Sequence, residues 1–502
     1  MYVNNLNIET LDGRVLIENL SFSLAKGDKA VVIGEEGNGK STLLKVIYGA
    51  KELSSYVKIS GAIVANEKIG YLAQELDAGE KTVAEFFDFS SFPFAISPKQ
   101  LRMISQELSM DEDIYYSPVK VKNLSGGEKV KIQLAKLLFG ECDLLLLDEP
   151  SNDIDIGTLI WLEDFINSID IPIMFVSHDE TLIENTANMI IHIEQLRRKT
   201  TPRVTVARLD YSTYVEERLF NIERQTQTAK KEKENFEKRQ RRWREIYEKV
   251  DRDLANCTSR TPTMGRLLKK KMKTVKAQEK RFDKEKGNLA EFPDFEEAVT
   301  TDCYGASIPN GKVVLDFSLY ELKIYDKTLS KNINLKIVGP KKICITGNNG
   351  IGKTTLIKKI YESIKDSGVF KVAYMPQNYF DELDPTATPI DFLTDGTKEG
   401  TTKARTYLGC MKYRADEMCR PVSGLSGGQK AKLLYLKMAL SDCEVMILDE
   451  PTRNFSPITN PSIRRVLSKF PGAIISVSHD RKFIDEVCDT VYRLTDTGLV
   501  TV

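Results

Sequence analysis

The sequence predicts an α/β protein made of two copies of one domain in tandem, joined by an α-helical antiparallel coiled-coil hairpin. Lys40 and Lys353 lie in matching glycine-rich loops 313 residues apart, and LSGG segments around Ser125 and Ser426 lie 301 residues apart. Several matches at nearly one offset indicate a duplicated domain. Between the copies, apolar residues recur every seven positions, which is typical of paired helices. The predicted boundaries are 1–216 for the first copy, 217–295 for the linker and 296–502 for the second copy.

The composition is that of a chain with several buried cores and no membrane part. The chain has 502 residues, of which 41% are hydrophobic, enough for two or more domains. No apolar run approaches the roughly 18 residues of a membrane span, and no signal peptide is recognised, so we expect a cytoplasmic protein. The eight cysteines are scattered without a CxxC pair. They indicate neither a disulfide framework nor a zinc site.

The first copy opens with residues 6–24, which alternate apolar and polar side chains around Asp12-Gly13 and predict an antiparallel sheet. A buried strand over 30–33 then leads into the loop GEEGNGKS at 34–41, after which a helix is expected. Glycines in such a loop let backbone N–H groups wrap phosphates, and the helix N-terminus adds positive potential. Lys40 is expected to reach the phosphates and Ser41 a Mg²⁺ ion. A glycine-rich turn without a ligand is the weaker interpretation in this strand–loop–helix setting.

Two acids and a histidine follow buried strands of the first copy. The run DLLLLDEP ends in Asp148 and Glu149, and the strand IMFV delivers His178. Asp148 is expected to hold Mg²⁺, while Glu149 polarises the attacking water. His178 can contact the γ-phosphate and that water. Two surface acids are the alternative, which the nearby phosphate loop weakens. His192 lies in the apolar run MIIHI and is predicted to be structural.

The second copy repeats this order. A strand over 343–346 leads into the loop GNNGIGKT at 347–354. The equivalent later residues are Gln377, Ser426, Asp449, Glu450 and His479. Because both acid pairs and both histidines are present, the sequence predicts two hydrolysis-competent sites.

The linker is strongly basic. Residues 221–290 contain 22 Lys and Arg against 11 Asp and Glu, whereas the whole chain has 72 of each. Charge segregated in this way indicates a surface that meets a polyanion, although a solvated spacer is the alternative. The heptad residues are Ala229, Phe236, Trp243, Val250, Leu268, Val275, Phe282 and Leu289. Residues 256–265, which include Pro262, are predicted to form the tip of the hairpin.

These motifs together resemble an ATP-binding-cassette (ABC) ATPase. The phosphate loop, Gln74 in GYLAQ, the Asp148-Glu149 pair and His178 all fit, and LSGG is that family's own signature. In the family two cassettes face head to tail, and the signature of one closes over ATP held by the other. The resemblance therefore implies ATP and Mg²⁺ as cofactors and two composite sites.

Site one would combine Gly34, Gly37, Gly39, Lys40, Ser41, Thr42, Gln74, Asp148, Glu149 and His178 with Ser426, Gly427 and Gly428. Site two would combine Gly347, Gly350, Gly352, Lys353, Thr354, Thr355, Gln377, Asp449, Glu450 and His479 with Ser125, Gly126 and Gly127. The implied Mg²⁺ ligands are Ser41, Gln74 and Asp148 at site one, and Thr354, Gln377 and Asp449 at site two. Tyr325 stands where the family stacks an aromatic ring on adenine, whereas the first copy has Leu11 at that point.

Two fused cassettes with a basic hairpin between them resemble the ABC-F family, whose members act on ribosomes. Residues 451–457 (PTRNFSP) resemble its antibiotic-resistance branch, whereas 150–155 (PSNDID) are nearer the common PTNHLD form. The resemblance implies a monomer that meets the 70S ribosome, through large-subunit ribosomal RNA and peptidyl-site tRNA, and not DNA or a membrane. Its ATP-bound form would enter the tRNA exit site and displace lincosamides, pleuromutilins and streptogramin A from the peptidyl-transferase centre. ATP hydrolysis would drive its release.

Three other functions stay open from the sequence. The nearest is a housekeeping translation factor of the same family. An ATPase subunit of a membrane transporter is a second, but it has no need of a basic hairpin of about 70 residues. A chromosome-organising ATPase is a third, but in that class the coiled coil interrupts a single cassette.

Overall fold

The computed structural model describes the chain in both cassettes and most of the linker. The described residues are 1–502 except 51–52, 54, 75, 77, 90–91, 93–95, 197–199, 257–261, 287–291, 294–305, 325–326 and 395. Residues 1–211 and 296–502 form one compact unit, which holds both cassettes, and residues 212–295 form a second.

The first cassette consists of β1 Tyr2–Thr10, β2 Val15–Ser23, β3 Lys29–Ile33, α1 Lys40–Tyr48, β4 Val57–Val64, β5 Ile69–Leu72, α2 Val83–Phe87, α3 Pro98–Glu107, α4 Gly126–Phe139, β6 Leu144–Asp148, α5 Ile156–Ser168, β7 Ile173–Val176, α6 Glu180–Thr186, β8 Met189–Gln195 and β9 Thr201–Ala207. Short 3₁₀ helices cover Glu112–Tyr116 and Val121–Asn123.

Two sheets build this cassette. The six-stranded sheet has the order β5-β6-β7-β3-β8-β9, parallel except for β9. Strands β3, β6 and β7 are fully buried, as expected for apolar runs in the middle of a parallel sheet. The predicted antiparallel sheet is confirmed as β2-β1-β4. Parallel strands end at one edge, which brings the phosphate loop, the acids and the histidine together.

The second cassette consists of β10 Val313–Ile324, β11 Lys327–Val338, β12 Lys342–Thr346, α9 Lys353–Ser367, β13 Val372–Met375, α10 Pro389–Leu393, α11 Lys398–Cys410, α12 Gly427–Leu440, β14 Val445–Asp449, α13 Asn460–Ser468, β15 Ala473–Val477, α14 Arg481–Val487, β16 Thr490–Thr495 and β17 Gly498–Thr501. Its 3₁₀ helices cover Tyr379–Asp381, Glu417–Cys419 and Val422–Gly424. Its main sheet, β13-β14-β15-β12-β16-β17, repeats the topology of the first.

The linker contains two long helices, α7 Tyr211–Ala255 and α8 Pro262–Lys286. The Trp243 indole donates a hydrogen bond to the Val275 carbonyl at 2.9 Å, and the rings of Phe236 and Phe282 meet edge to face with centroids 5.7 Å apart. These contacts confirm the predicted antiparallel hairpin. Leu289 lies outside the described residues.

The predicted tip of the hairpin is too long at its second end. Helix α8 begins at Pro262, so residues 262–265 are helical and not part of the turn. The physical reason is that proline suits the first position of a helix, where its fixed φ fits and its missing N–H has no acceptor to lose. Residues 257–261 lie outside the described part of the chain.

Candidate nucleotide-binding sites

The two phosphate loops fold in the same way. Lys40 donates hydrogen bonds to the carbonyls of Gly34 at 2.9 Å and Glu35 at 3.2 Å, and Lys353 makes the equivalent bonds at 2.7 and 3.0 Å. Both lysines are buried. Gly34 has φ +147°, and a Cβ atom there would lie 2.2 Å from the Ile193 carbonyl oxygen. Only glycine therefore allows this turn, and each loop holds its lysine ready for a phosphate.

The two predicted catalytic glutamates share an uncommon backbone conformation. Glu149 has φ 52° and Glu450 has φ 54°, in the left-handed region that side chains other than glycine rarely adopt. Their backbone N–H groups donate to Val176 and Val477 at 3.1 and 2.9 Å, at the ends of neighbouring strands. Strained residues held by surrounding structure cluster at functional sites. Each strand end thus aims a carboxylate at the phosphate loop.

The partners of the two glutamates differ. His178 Nε2 lies 3.0 Å from Glu149 Oε1, and His178 Nδ1 lies 2.8 Å from the Phe455 carbonyl oxygen of the other cassette. In the second cassette, His479 Nε2 lies 3.8 Å from Glu450 Oε1, and His479 Nδ1 makes no hydrogen bond within the described residues. The first histidine is therefore engaged on both sides, whereas the second is not.

These surroundings shift the acidity of the two glutamates in opposite directions. Burial disfavours the charge of Glu149, but the His178 ring outweighs it and lowers the pKa of Glu149. For Glu450, burial and then the charge of Asp449 raise the pKa to about 8. Burial, followed by the charge of Lys353, lowers the pKa of His479 to about 4. A carboxylate whose pKa is near neutral pH suits a general base, and Glu450 has this property beside the neutral imidazole of His479.

The acids predicted to hold Mg²⁺ also differ between the sites. Asp148 accepts hydrogen bonds from Ser41 at 2.8 Å and Tyr71 at 2.9 Å, one on each carboxylate oxygen. Asp449 is buried, and neither of its oxygens has a hydrogen-bond partner of ordinary geometry within the described residues. Burial raises its pKa to about 6, although the nearby Thr354 hydroxyl acts to lower it. An unsatisfied buried carboxylate fits a divalent cation, which Asp449 would hold together with Thr354 and Gln377.

A cavity of about 800 Å³ lies where site two is expected. The second cassette contributes Lys353, Thr354 and Glu450, and the first contributes Ser125 and Gly126. Ser125 is the N-cap residue of helix α4, and Gly126 is the first residue of that helix. Both residues line the cavity, so the N-terminus of α4 borders it. An opening between a phosphate loop and an opposing helix N-terminus has the charge pattern that a triphosphate requires.

At site one, the second cassette's signature motif binds a side chain of the first cassette. The Gly427 N–H donates to Glu36 Oε1 at 3.2 Å, and the Gly428 N–H donates to Glu36 Oε2. These are the first two residues of helix α12, whose N-terminus carries positive potential. The carboxylate of Glu36 thus sits where an anion is favoured.

Glu35 forms a second contact of the same kind. Its buried carboxylate pairs with Lys432 of α12 and accepts hydrogen bonds from Ser456 at 2.9 Å and Thr459 at 2.6 Å. Burial alone would disfavour the charge of Glu35, but the Lys432 ammonium and these hydroxyls outweigh it and hold the pKa well below its usual range. An ion pair that is also fully hydrogen-bonded tolerates burial.

The remaining predicted residues fall in several places. Thr355 lines the site-two cavity beside Thr354, whereas Gly127 is buried behind Ser125 and packs against Thr158. Gln74 follows β5 and is exposed. Tyr325 lies outside the described residues, and adenine stacking there stays a prediction. Leu11 is 55% exposed. His192 is buried in β8, away from solvent, as predicted.

Sequence reasoning gave no role to Glu35, Glu36 or Tyr71. The sequence did carry one signal of their importance. Two acidic residues inside a phosphate loop repel the negatively charged phosphates that such a loop usually binds. The second loop has Asn348 and Asn349 at the equivalent positions.

Comparison with known proteins agrees with this architecture. The family model described as "ABC transporter" matches residues 17–152 and 330–453. The "ATP-binding cassette sub-family F member 3" of Homo sapiens is 26% identical over 100% of this chain and 72% of its own length. "ABC transporter F family member 5" of Arabidopsis thaliana is 26% identical over 96% of this chain and 73% of its own length.

Two solved structures share the fold. The "RNase-L Inhibitor" aligns with TM-score 0.60 at 17% identity, covering 99% of this chain and 90% of its own. The archaeal ribosome recycling factor aABCE1, solved with the ribosomal stalk protein aP1, aligns with TM-score 0.59 at 17% identity, covering 97% and 87%. No helix in the described part of the chain is long and apolar enough to cross a membrane.

The ATPase domain therefore occurs twice in tandem, and the two relatives named above are sub-family F proteins. Such domains bind and hydrolyse ATP. With two matches to the family model in one chain, the protein belongs to the ATP-binding-cassette family of ATPases, and it is similar over its whole length to sub-family F members.

Proposed function

We propose that this ATPase is a cytoplasmic ribosomal protection factor. Its ATP-bound form enters the tRNA exit site of the 70S ribosome as a monomer. Its linker then displaces lincosamides, pleuromutilins and streptogramin A that act at the peptidyl-transferase centre. ATP hydrolysis loosens the two cassettes and permits release. No membrane or DNA partner is part of this proposal.

The basic hairpin carries the proposal. Its apolar seam is used internally, since Phe236 and Val275 are buried within the linker. Arg241, Arg242 and Arg244 are exposed on helix α7, which also carries Phe236. A hairpin that buries its apolar residues and exposes guanidinium groups is suited to RNA phosphates, which such groups bind without reading sequence. A mere spacer between cassettes would not need a net positive charge of this size.

The cassettes supply the switch in this proposal. Lys353 and Thr354 bind the phosphates and Asp449 holds Mg²⁺, which neutralises phosphate charge when bound. Glu450 accepts the proton of the attacking water, and the Ser125 motif on the other cassette contacts the γ-phosphate. Closure depends on that phosphate because residues of both cassettes grip it. Helix α7 follows β9 after only three residues, so the first cassette and the linker are joined by a short connection.

The likeness to recycling factors supports a ribosomal partner. One structure is described as a model of ribosome-bound archaeal Pelota and ABCE1, with TM-score 0.57 and 16% identity. At that identity the similarity is one of fold. We propose the ribosome as a partner of this chain. The antibiotic part rests on the PTRNFSP segment at 451–457.

The test is a pull-down with a variant that retains ATP. A Glu149→Gln/Glu450→Gln chain is incubated with lysate and Mg-ATP, and ribosomal RNA is measured in the eluate. We expect 70S ribosomes in the ATP sample and few in the ADP sample. A variant that holds ATP but recovers membranes or DNA, and no ribosomes, would refute the proposal.

A housekeeping translation factor of the same family is the second candidate. The segment PSNDID at 150–155 favours it, because it is nearer the PTNHLD form than its counterpart is. Minimum inhibitory concentrations of the three drug classes, with and without expression, separate the candidates. Protection raises them at least fourfold, whereas a housekeeping factor leaves them unchanged.

A further inference from the structure

The second signature motif has a ligand within the chain. Two consecutive N–H groups at the start of α12 bind the carboxylate of Glu36, as described above. A pair of N–H groups at a helix N-terminus binds phosphate and carboxylate oxygens by the same charge attraction. Glu36 therefore occupies the place at which this motif would contact a γ-phosphate.

Glu35 holds the loop in that position. Its carboxylate is enclosed by Lys432, Ser456 and Thr459, all of the second cassette and all buried. These bonds join the first phosphate loop to the second cassette, so they must break before the loop can leave the signature motif. The contact of Glu36 with the signature motif is thus supported by a second, independent set of bonds.

The other functional groups of site one are also satisfied within the chain. Both oxygens of Asp148 accept hydrogen bonds, from Ser41 and Tyr71. The ring of His178 bridges Glu149 and the Phe455 carbonyl. A Mg-nucleotide at this site would have to displace Tyr71 from Asp148 as well as Glu36 from the signature motif.

Site two has none of these internal ligands. Asn348 and Asn349 replace the two acids, and Asn349 donates to the Asp153 carbonyl of the other cassette. Within the described residues, neither the hydroxyl of Tyr374, the counterpart of Tyr71, nor either oxygen of Asp449 has a hydrogen-bond partner of ordinary geometry. The Asp449 carboxylate of site two is therefore available to a ligand, and it lines the cavity.

From this contrast we infer that Glu36 is the built-in ligand of the second signature motif and closes site one without nucleotide. Glu35 acts as its positioning residue. ATP binding, closure and turnover then take place at site two, so that site one serves as a fixed joint between the cassettes. The inference rests on the ATP sites of the proposed function and departs from the expectation of two hydrolysing sites.

The test counts bound nucleotide. The full chain is dialysed to equilibrium against Mg-AMPPNP, and the number of nucleotides bound per chain is measured. We expect one for the native chain and two for Glu35→Asn/Glu36→Asn, which copies the second loop into the first. The reverse variant, Asn348→Glu/Asn349→Glu, is expected to lower binding at site two at least tenfold.

Two results would overturn the inference. The first is two nucleotides bound to the native chain at similar affinity, a measurement that needs no variant to fold. The second is a folded Glu35→Asn/Glu36→Asn chain that still binds one. Ribosome co-sedimentation is a separate readout, so failure of the ribosomal proposal leaves this count unaffected.

Discussion

The Nδ1 atom of His178 lies 2.8 Å from the carbonyl oxygen of Phe455, which joins the histidine after β7 of the first cassette to the backbone of the second. The same segment of the second cassette brings Ser456 to Glu35 and Arg453 to Asp153, with the Arg453 guanidinium 2.9 Å from the aspartate. Residues 451–457 are therefore a contact surface between the cassettes.

Replacing the two glutamates at the strand ends should stop hydrolysis without stopping binding. Glutamine keeps the shape of Glu149 and Glu450 but cannot accept the water's proton. We expect kcat to fall by roughly 10²–10⁴-fold, the usual contribution of a general base. Phosphate release measures the rate, and a fluorescent ATP analogue measures binding. Glu18→Gln, an exposed carboxylate change on β2, is the control and should leave both unchanged. Turnover within twofold of native in the double variant would exclude Glu450 as the base of site two.

The rate of hydrolysis should rise with pH. Burial and the charge of Asp449 raise the pKa of Glu450 to about 8, and only its ionised form accepts a proton. Below pH 8 the ionised fraction of the free site falls roughly tenfold per unit, so kcat/KM should increase steeply from pH 6 and level off near pH 9. Steady-state kinetics at Mg-ATP concentrations well below KM measure this. Nucleotide affinity over the same range is the control. A rate that stays level from pH 6 to 8.5 would contradict the assignment.

A buried arginine should stabilise the contact between the cassettes. Arg464 of α13 pairs with Glu180 of α6 through two hydrogen bonds, at 2.6 and 3.1 Å, and both side chains are buried. Arg464→Met leaves Glu180 without its main partner in the interior. We expect the free energy of unfolding to fall by about 3–5 kcal/mol, the usual cost of breaking a buried pair. Denaturant titration measures the change.

Two further variants complete that experiment. Replacing both partners, Arg464→Met/Glu180→Met, removes the stranded charge and should recover much of the loss. Lys26→Met breaks an exposed pair with Asp170 and should cost less than about 1 kcal/mol. Equal losses for Arg464→Met and Lys26→Met would show that the buried pair has no special importance.

Much of the fold and of site two could be predicted because the signals are local. The strand before each phosphate loop, the acids after β6 and β14 and the capped LSGG helices all depend on neighbours in sequence. The heptad residues likewise predicted that the two linker helices pair along their apolar residues, as Phe236 and Phe282 do. Pro262 was misjudged because proline both precedes and begins helices, and the sequence pattern does not separate the two roles.

The special features of site one could not be predicted in this way. Glu36 meets Gly428 across 392 positions of sequence, and Glu35 meets Thr459 across 424. Such contacts depend on how the two cassettes pack, which motif spacing does not specify. Tyr71 is a similar case, since its hydroxyl reaches Asp148 only because β5 and β6 are neighbours in the sheet.

Reversing charge on the linker should weaken ribosome binding. Arg239 pairs with Glu285 of the other linker helix at 3.1 Å and is left unchanged. The exposed residues Arg241, Arg242 and Arg244 are changed to glutamate; Arg241 lies 4.0 Å from Glu237 on its own helix. We expect co-sedimentation to weaken more than tenfold and its salt dependence to become shallower by up to about three in log–log slope, because fewer phosphates are neutralised.

The control for this experiment makes the same change in charge elsewhere. Lys58, Lys99 and Lys469 are exposed residues of the cassettes, and their replacement by glutamate alters the total charge equally. If binding depends on the linker itself, this triple variant should retain most of its ribosome co-sedimentation at moderate salt. ATP hydrolysis without ribosomes should be native in both triple variants, because none of the six residues lies at a nucleotide site. Equal loss of co-sedimentation in the two variants would mean that overall charge, and not the hairpin, governs the interaction.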